Sequence, residues 1–178
     1  MRTLMSLAVV LTLGSLTTFT GSAQQDQNTV SAISFADSPL TVAEGHAVPA
    51  TPQRVASVSW EVTNVSSRHV SEYMVRVYVY RATGETVGFR TTRLPVPVAP
   101  GKSGSAFVKF PGEMEVRPSD LFVIAITKAF FEDGTQWDGP DLPEVRERVQ
   151  AEVARLRGVA AARPRLQHAA FVTPLTPL

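Results

Sequence analysis

Between Arg54 and Trp137 the sequence alternates apolar and polar residues with a period of two, interrupted at short intervals by turn-forming residues. The clearest segment is Ala56–Thr63, where alanine, valine and tryptophan alternate with serine, glutamate and threonine. This pattern is typical of a half-buried β-strand, because successive side chains of a strand point to opposite faces of the sheet. Several such strands must bring their apolar rows together, so we predict an all-β fold, an antiparallel β-sandwich over residues 53–139.

The most apolar run of this region is Leu121–Phe131. Its composition is typical of a central strand covered on both faces, although a buried helix of the same length is an alternative. Directly after it, Asp133 and Gly134 stand between apolar flanks, a combination that strongly favours a β-hairpin. We therefore predict a central strand followed by a hairpin that returns at Trp137.

After Asp141 the spacing of apolar residues changes from two to 3.6, which predicts an amphipathic helix over residues 141–163. One stripe of this helix is formed by Leu142, Val145, Val149, Val153 and Leu156. Asp141 suits the helix start, and Pro164 predicts its end. We expect residues 164–178 to form an irregular tail that contains prolines.

The N-terminus has the features of a secretory signal peptide: Arg2, an apolar run over Leu4–Leu13, and small residues up to Ala23. An uncleaved membrane anchor is the alternative, but that run is shorter than the ~20 residues that span a bilayer. We predict cleavage after residue 23, export to the periplasm or the extracellular space, and no membrane span afterwards. Residues 24–52 are rich in small polar residues and proline, which indicates a flexible leader with one candidate strand.

Composition excludes several functional classes. The chain has no cysteine, so disulfides, thiolate metal sites and cysteine nucleophiles are absent. It has 17 Lys and Arg against 16 Asp and Glu, and removal of residues 1–23 makes the two numbers equal. A nucleic-acid-binding protein concentrates positive charge to neutralise phosphates, so we expect no nucleic-acid partner.

No complete catalytic or metal-binding motif is present in the sequence. Acidic residues cluster near the predicted hairpin, and calcium near Asp133 and Asp138 is an alternative to ordinary turn chemistry. The histidines are far apart in sequence, at positions 46, 69 and 168. We predict no catalytic residue, no metal and no cofactor.

Residues 55–137 resemble the small immunoglobulin-like sandwiches of exported bacterial proteins, in particular the FxLYD kind. The shared features are the Asn64-x-Ser66 turn, the strand ending Val79-Tyr80 with Gly84 beyond it, the Ala99–Ser103 segment before Phe107, and the Phe131–Trp137 hairpin. The resemblance implies an immunoglobulin-like β-sandwich that acts by contact with other molecules. It carries no catalytic residues.

We therefore predict a non-catalytic exported interaction or scaffold module of the bacterial envelope, with a protein as its partner. The predicted contact surface consists of Tyr78, Tyr80, Leu142, Val145, Val149, Val153 and Leu156. One alternative is an assembly subunit that forms homo-oligomers through the C-terminal helix, whose stripe either docks on the sandwich or pairs with a partner. A second alternative is a secreted hydrolase that would unite a histidine, an acid and a serine in one cleft.

Overall fold

A computed structural model describes residues 29–51, 53–112 and 114–169, with the side chains of Glu44 and of residues 160–169 left out of the description. The predicted signal peptide, the first residues of the leader and the end of the tail lie outside these ranges. Within them the chain forms eight strands and one helix. In order these are β1 Thr29–Ile33, β2 Leu40–Val48, β3 Ser57–Asn64, β4 Val70–Tyr80, β5 Thr86–Leu94, β6 Ser103–Lys109, β7 Leu121–Phe131, β8 Gln136–Asp138 and α1 Leu142–Ala169.

The strands form two sheets, one with the order β1-β7-β4-β5 and β8 paired to β7, the other with the order β2-β3-β6. The predicted all-β architecture with a C-terminal helix is confirmed. One pair departs from the antiparallel prediction, because β1 runs parallel to β7 with Thr29 opposite Leu121. The finer assignment to an immunoglobulin-like topology stays a prediction.

Strand β7 is buried on both faces, as its composition predicts. Phe122, Ile124 and Ile126 point into the core between the two sheets, where they meet the apolar rows of β3, β4 and β6. The alternate residues Val123 and Ala125 point the other way, into a second core beneath α1. The molecule therefore has three layers, in which the larger sheet lies between the smaller sheet and the helix.

The prediction of a flexible leader over residues 24–52 needs correction, because β1 and β2 belong to the two sheets. The sandwich therefore begins well before residue 53. A register shift between Val42 and Gly45 interrupts the β2–β3 ladder and hides the period of two in the sequence. Gly45 is required there, since a Cβ at this position would lie 2.3 Å from Cγ1 of Val30.

The helix begins where the sequence predicts, and the Asp141 Oδ1 atom accepts a hydrogen bond from the Glu144 N–H at 2.9 Å. Its predicted end at residue 163 needs correction, because α1 continues through Pro164 to Ala169. A proline removes one helical hydrogen bond but has a helical φ, and the alanines before it favour helix strongly. Among the described residues, no helix has both the length and the apolar character needed to cross a membrane.

Candidate functional site

The predicted contact surface is mostly an internal interface. Val145, Val149, Val153 and Leu156 are buried against the outer face of the larger sheet, where Tyr78 and Tyr80 are buried with them. Of the seven predicted residues only Leu142 is exposed, at 47%. The structure thus brings six of them together but covers them within the chain, and this corrects their assignment to a partner. The stripe docks on the sandwich, which is one of the two arrangements considered for it.

A concave surface lies at the end of the sandwich where three connections meet: the β1–β2 loop, the β3–β4 turn and the β7–β8 hairpin. It consists of two adjoining cavities of about 510 and 320 Å³, which share Ala36 and Asp37. We call it the Trp137 groove. Its larger cavity is lined by Asp37, Val65, Ser66, Arg68, Phe131 and Trp137, and its smaller cavity by Asp138, Glu144 and Arg148.

Asn64 determines the shape of the β3–β4 turn that supplies one wall of this groove. Its side chain is fully buried, and its Nδ2 donates hydrogen bonds to the Arg68 carbonyl at 2.7 Å and the Val98 carbonyl at 2.8 Å. Its Oδ1 accepts from the Ser66 N–H at 3.0 Å and from the Ser66 hydroxyl at 2.8 Å. This turn places Val65 in the groove with 58% of its surface exposed.

Arg68 is held in a fixed position by contacts on two sides. Its guanidinium lies 3.7 Å from the centre of the Phe131 ring, a cation–π contact. The same group donates to Asp133 at 2.7 Å and to the Thr135 hydroxyl. Hydrogen bonds from Thr135 and Arg68 lower the pKa of Asp133 to about 2. The groove therefore presents a positioned cation beside an aromatic ring, and the carboxylate that holds this cation from outside the groove stays ionised.

Trp137 and Arg148 are positioned by similar contacts on the other side of the groove. The Trp137 Nε1–H donates to Asp37 Oδ2 at 3.2 Å. Arg148 pairs with Glu144 at 2.9 Å and lies 5.1 Å above the Phe35 ring. Aromatic rings and charges of both signs thus line the groove, an arrangement suited to binding a polar chain by stacking and hydrogen bonds.

The two carboxylates considered for calcium are each paired with a cation. Asp133 contacts Arg68, and Asp138 contacts the Lys128 ammonium at 2.6 Å, which lowers the pKa of Asp138. Within the described ranges, no group of three or more acidic or histidine side chains is close enough to hold a metal ion.

The two histidines whose side chains are described, His46 and His69, lie in different parts of the fold and have different surroundings. His69 Nδ1 lies 3.5 Å from Glu132 Oε1, whereas His46 is exposed on β2 and the side chain of His168 lies outside the description. Among the described residues, no serine hydroxyl is hydrogen-bonded to a histidine ring.

The hydrogen bonds that Asp133 accepts from Thr135 and Arg68 predict a defined dependence of stability on pH. The folded-state pKa of Asp133, about 2, lies below the ordinary value of 3.8, so the stabilisation is complete above about pH 5 and is lost as the pH falls through 2. Thermal unfolding of the wild-type protein and of Asp133→Asn should therefore differ in Tm by a constant amount above about pH 5. That difference should shrink towards zero near pH 2. A difference that persists unchanged to pH 2 would contradict the assignment.

No known family model matches this sequence, and no curated protein matches it either. Several solved structures are distantly similar to it, including the three that follow. A hypothetical protein from Peptoclostridium difficile 630 is 12% identical with a TM-score of 0.46, over 63% of this chain and 92% of its own. The structural genomics target SoR45 is 11% identical with a TM-score of 0.39, over 57% and 80%. The putative ApaA protein from Bordetella pertussis is 16% identical with a TM-score of 0.33, over 57% and 86%. Similarities at this level carry no functional argument.

Proposed function

We propose that this protein is an exported, non-catalytic interaction module of the bacterial envelope, and that it binds a segment of a protein partner in the Trp137 groove. The observation that carries the proposal is the fixed arrangement of Arg68 between the Phe131 ring and Asp133. Aromatic and arginine side chains are enriched where proteins meet, and side chains already held in place lose little entropy on binding.

The electrostatics of the groove support recognition rather than proton transfer. A general acid or base works best when its pKa is near the working pH. The pKa of Asp133 is about 2, so this carboxylate keeps its charge throughout the neutral range. Asp133 therefore acts as a permanent charge that holds Arg68 in place, and Arg68, which lines the groove, orients a ligand by ionic hydrogen bonds.

Assembly through the apolar stripe of α1 is less favoured. Val145 and Val149 are completely buried against the sheet, so the helix would have to leave the sheet before it contacted a partner. The groove needs no such rearrangement, because Val65 and Arg68 are already exposed.

Site-specific photocrosslinking in the native cell tests this proposal. A benzophenone amino acid replaces Val65, which is exposed in the groove, and in a matched control it replaces Val159, which is 46% exposed on α1. We expect one protein adduct in the envelope fraction from position 65 and none from position 159. The crosslinked chain should begin at Gln24, as signal cleavage requires.

The variant Arg68→Glu, combined with the crosslinker at position 65, identifies the role of the positioned cation. It should abolish the adduct while the protein is still exported and folded. An adduct that survives this change, or equal adducts from positions 65 and 159, would show that the groove is not the binding site.

A further inference from the structure

Strand β6 forms one edge of the three-stranded sheet, and the pattern of its ladder shows which backbone groups face outwards. The Ala56 carbonyl accepts from the Phe110 N–H at 2.8 Å, so residues 56 and 110 form a hydrogen-bonded pair. Such pairs alternate along an antiparallel ladder. Val58 lies opposite Val108, two residues along from the first pair, so these two residues form the next hydrogen-bonded pair. Residues 104, 106 and 108 are therefore the ones whose backbone groups bond to β3. The N–H and C=O groups of residues 103, 105, 107 and 109 point away from the sheet.

These outward groups are largely unpaired. The Lys109 carbonyl accepts a hydrogen bond from Arg90 Nη1 at 2.5 Å, so this outward group at the end of β6 already has a partner. For Ser105 and Phe107, the described part of the chain supplies no backbone partner on the outer side. Both residues are exposed, and Phe107 has 60% of its surface accessible.

The edge strands β2 and β5 carry features that discourage pairing within their length, whereas β6 has only a charge at its last residue. Proteins protect edge strands with charges, prolines or bulges. Strand β2 has the register shift between Val42 and Gly45, and β5 carries Arg90 and Arg93. Strand β6 reads Ser-Gly-Ser-Ala-Phe-Val-Lys, with its single charge at the last position. Its ladder with β3 is regular from end to end.

We propose that β6 pairs antiparallel with β6 of a second copy of this chain, which joins the two small sheets into one six-stranded sheet. The partner is a second copy of this chain because β6 is complementary to itself when two copies pair antiparallel. With Ser105 opposite Phe107 of the second copy, the outward N–H and C=O groups of both residues are matched by a two-fold axis.

Charge and apolar surface are also matched in this register. Lys109 lies opposite Ser103 of the second copy, so no like charges face each other. The two Phe107 rings become diagonal neighbours across the axis, within reach of each other on the outer face. The proposal is independent of the Trp137 groove, which lies at the end of the sandwich, and it moves the predicted self-association from the helix to this edge.

The experiment measures the mass of the chain from Gln24 onwards by sedimentation equilibrium over a wide range of protein concentration. We expect a reversible monomer–dimer equilibrium. Ser105→Pro removes an outward N–H and leaves the ladder to β3 intact, so the dimer dissociation constant should rise about 10-fold or more. The matched control Ser105→Ala keeps that N–H and should stay within about 3-fold of the wild type.

A second variant, Phe107→Ser, removes the exposed ring without changing the backbone and should also weaken the dimer about 10-fold. It keeps the test decisive if the proline variant does not fold. A chain that remains monomeric at every concentration would overturn the proposal. So would a dimer whose dissociation constant is unchanged by Phe107→Ser, or by a folded Ser105→Pro, because either result would place the contact on another surface.

Discussion

Replacing Asn64 by alanine should lower the free energy of unfolding by about 3 kcal/mol or more, because the loss of a buried hydrogen-bonding group leaves its partners unsatisfied. The fully buried side chain makes four hydrogen bonds, to Ser66, to the Arg68 carbonyl and to the Val98 carbonyl. In a domain of this size the change corresponds to a fall in Tm of about 10 °C. Chemical denaturation followed by tryptophan fluorescence measures it.

Two neighbouring variants separate the role of Asn64 from a general effect of the turn. Asn64→Asp keeps the acceptor for Ser66 but places a carboxylate against the carbonyls of Arg68 and Val98, so it should be at least as damaging as alanine. Ser66→Ala removes only a half-buried hydroxyl and should cost about 1 kcal/mol or less. Equal effects of Ser66→Ala and Asn64→Ala would contradict a central role for the Asn64 side chain.

Val149→Asp should cost about 4 kcal/mol or more, because it places a charge in the apolar interface between α1 and the larger sheet. Val149 is completely buried there, beside Tyr78, Tyr80 and Val123. We expect the helix to leave the sheet. Burial raises the pKa of Tyr80, so exposure should move the titration of its phenol back towards lower pH.

Gln150→Asp is the matched control, since it adds the same charge at the next, exposed position of the same helix. It should change the free energy of unfolding by no more than about 0.5 kcal/mol and leave the tyrosine titration unchanged. Helix docking would not be a major source of stability if Val149→Asp and Gln150→Asp had equal effects.

The strands and the helix could be predicted from the sequence wherever one periodicity runs without interruption. Ala56–Thr63 and Val70–Tyr80 show it for strands, and the stripe from Val145 to Leu156 shows it for the helix. Strand β2 was missed because a register shift breaks its alternation. Pro164 predicts an early helix end, but a proline has a helical φ and removes only one helical hydrogen bond, and α1 continues past it to Ala169.

The candidate site was harder to predict, because it exists only through long-range contacts. Asp37, Arg68 and Trp137 come from the β1–β2 loop, the β3–β4 turn and strand β8, which lie far apart in sequence. The Asn64-x-Ser66 turn and the Phe131–Trp137 hairpin are visible as local motifs, but nothing local shows that they meet. The apolar stripe of α1 predicts a contact surface for a partner, but the stripe is buried within the chain. The periodicity of a helix shows that one face is buried and does not show which surface covers it.

The parallel pairing of β1 with β7 sets the order in which this chain completes its structure during synthesis. Thr29 is made early, but its partner Leu121 leaves the ribosome only when most of the chain has been made. The hairpin of β4 and β5 can close as soon as it emerges, whereas the N-terminal strand must wait for a distant partner. The larger sheet therefore gains its N-terminal edge strand late, after the strands at its centre are available.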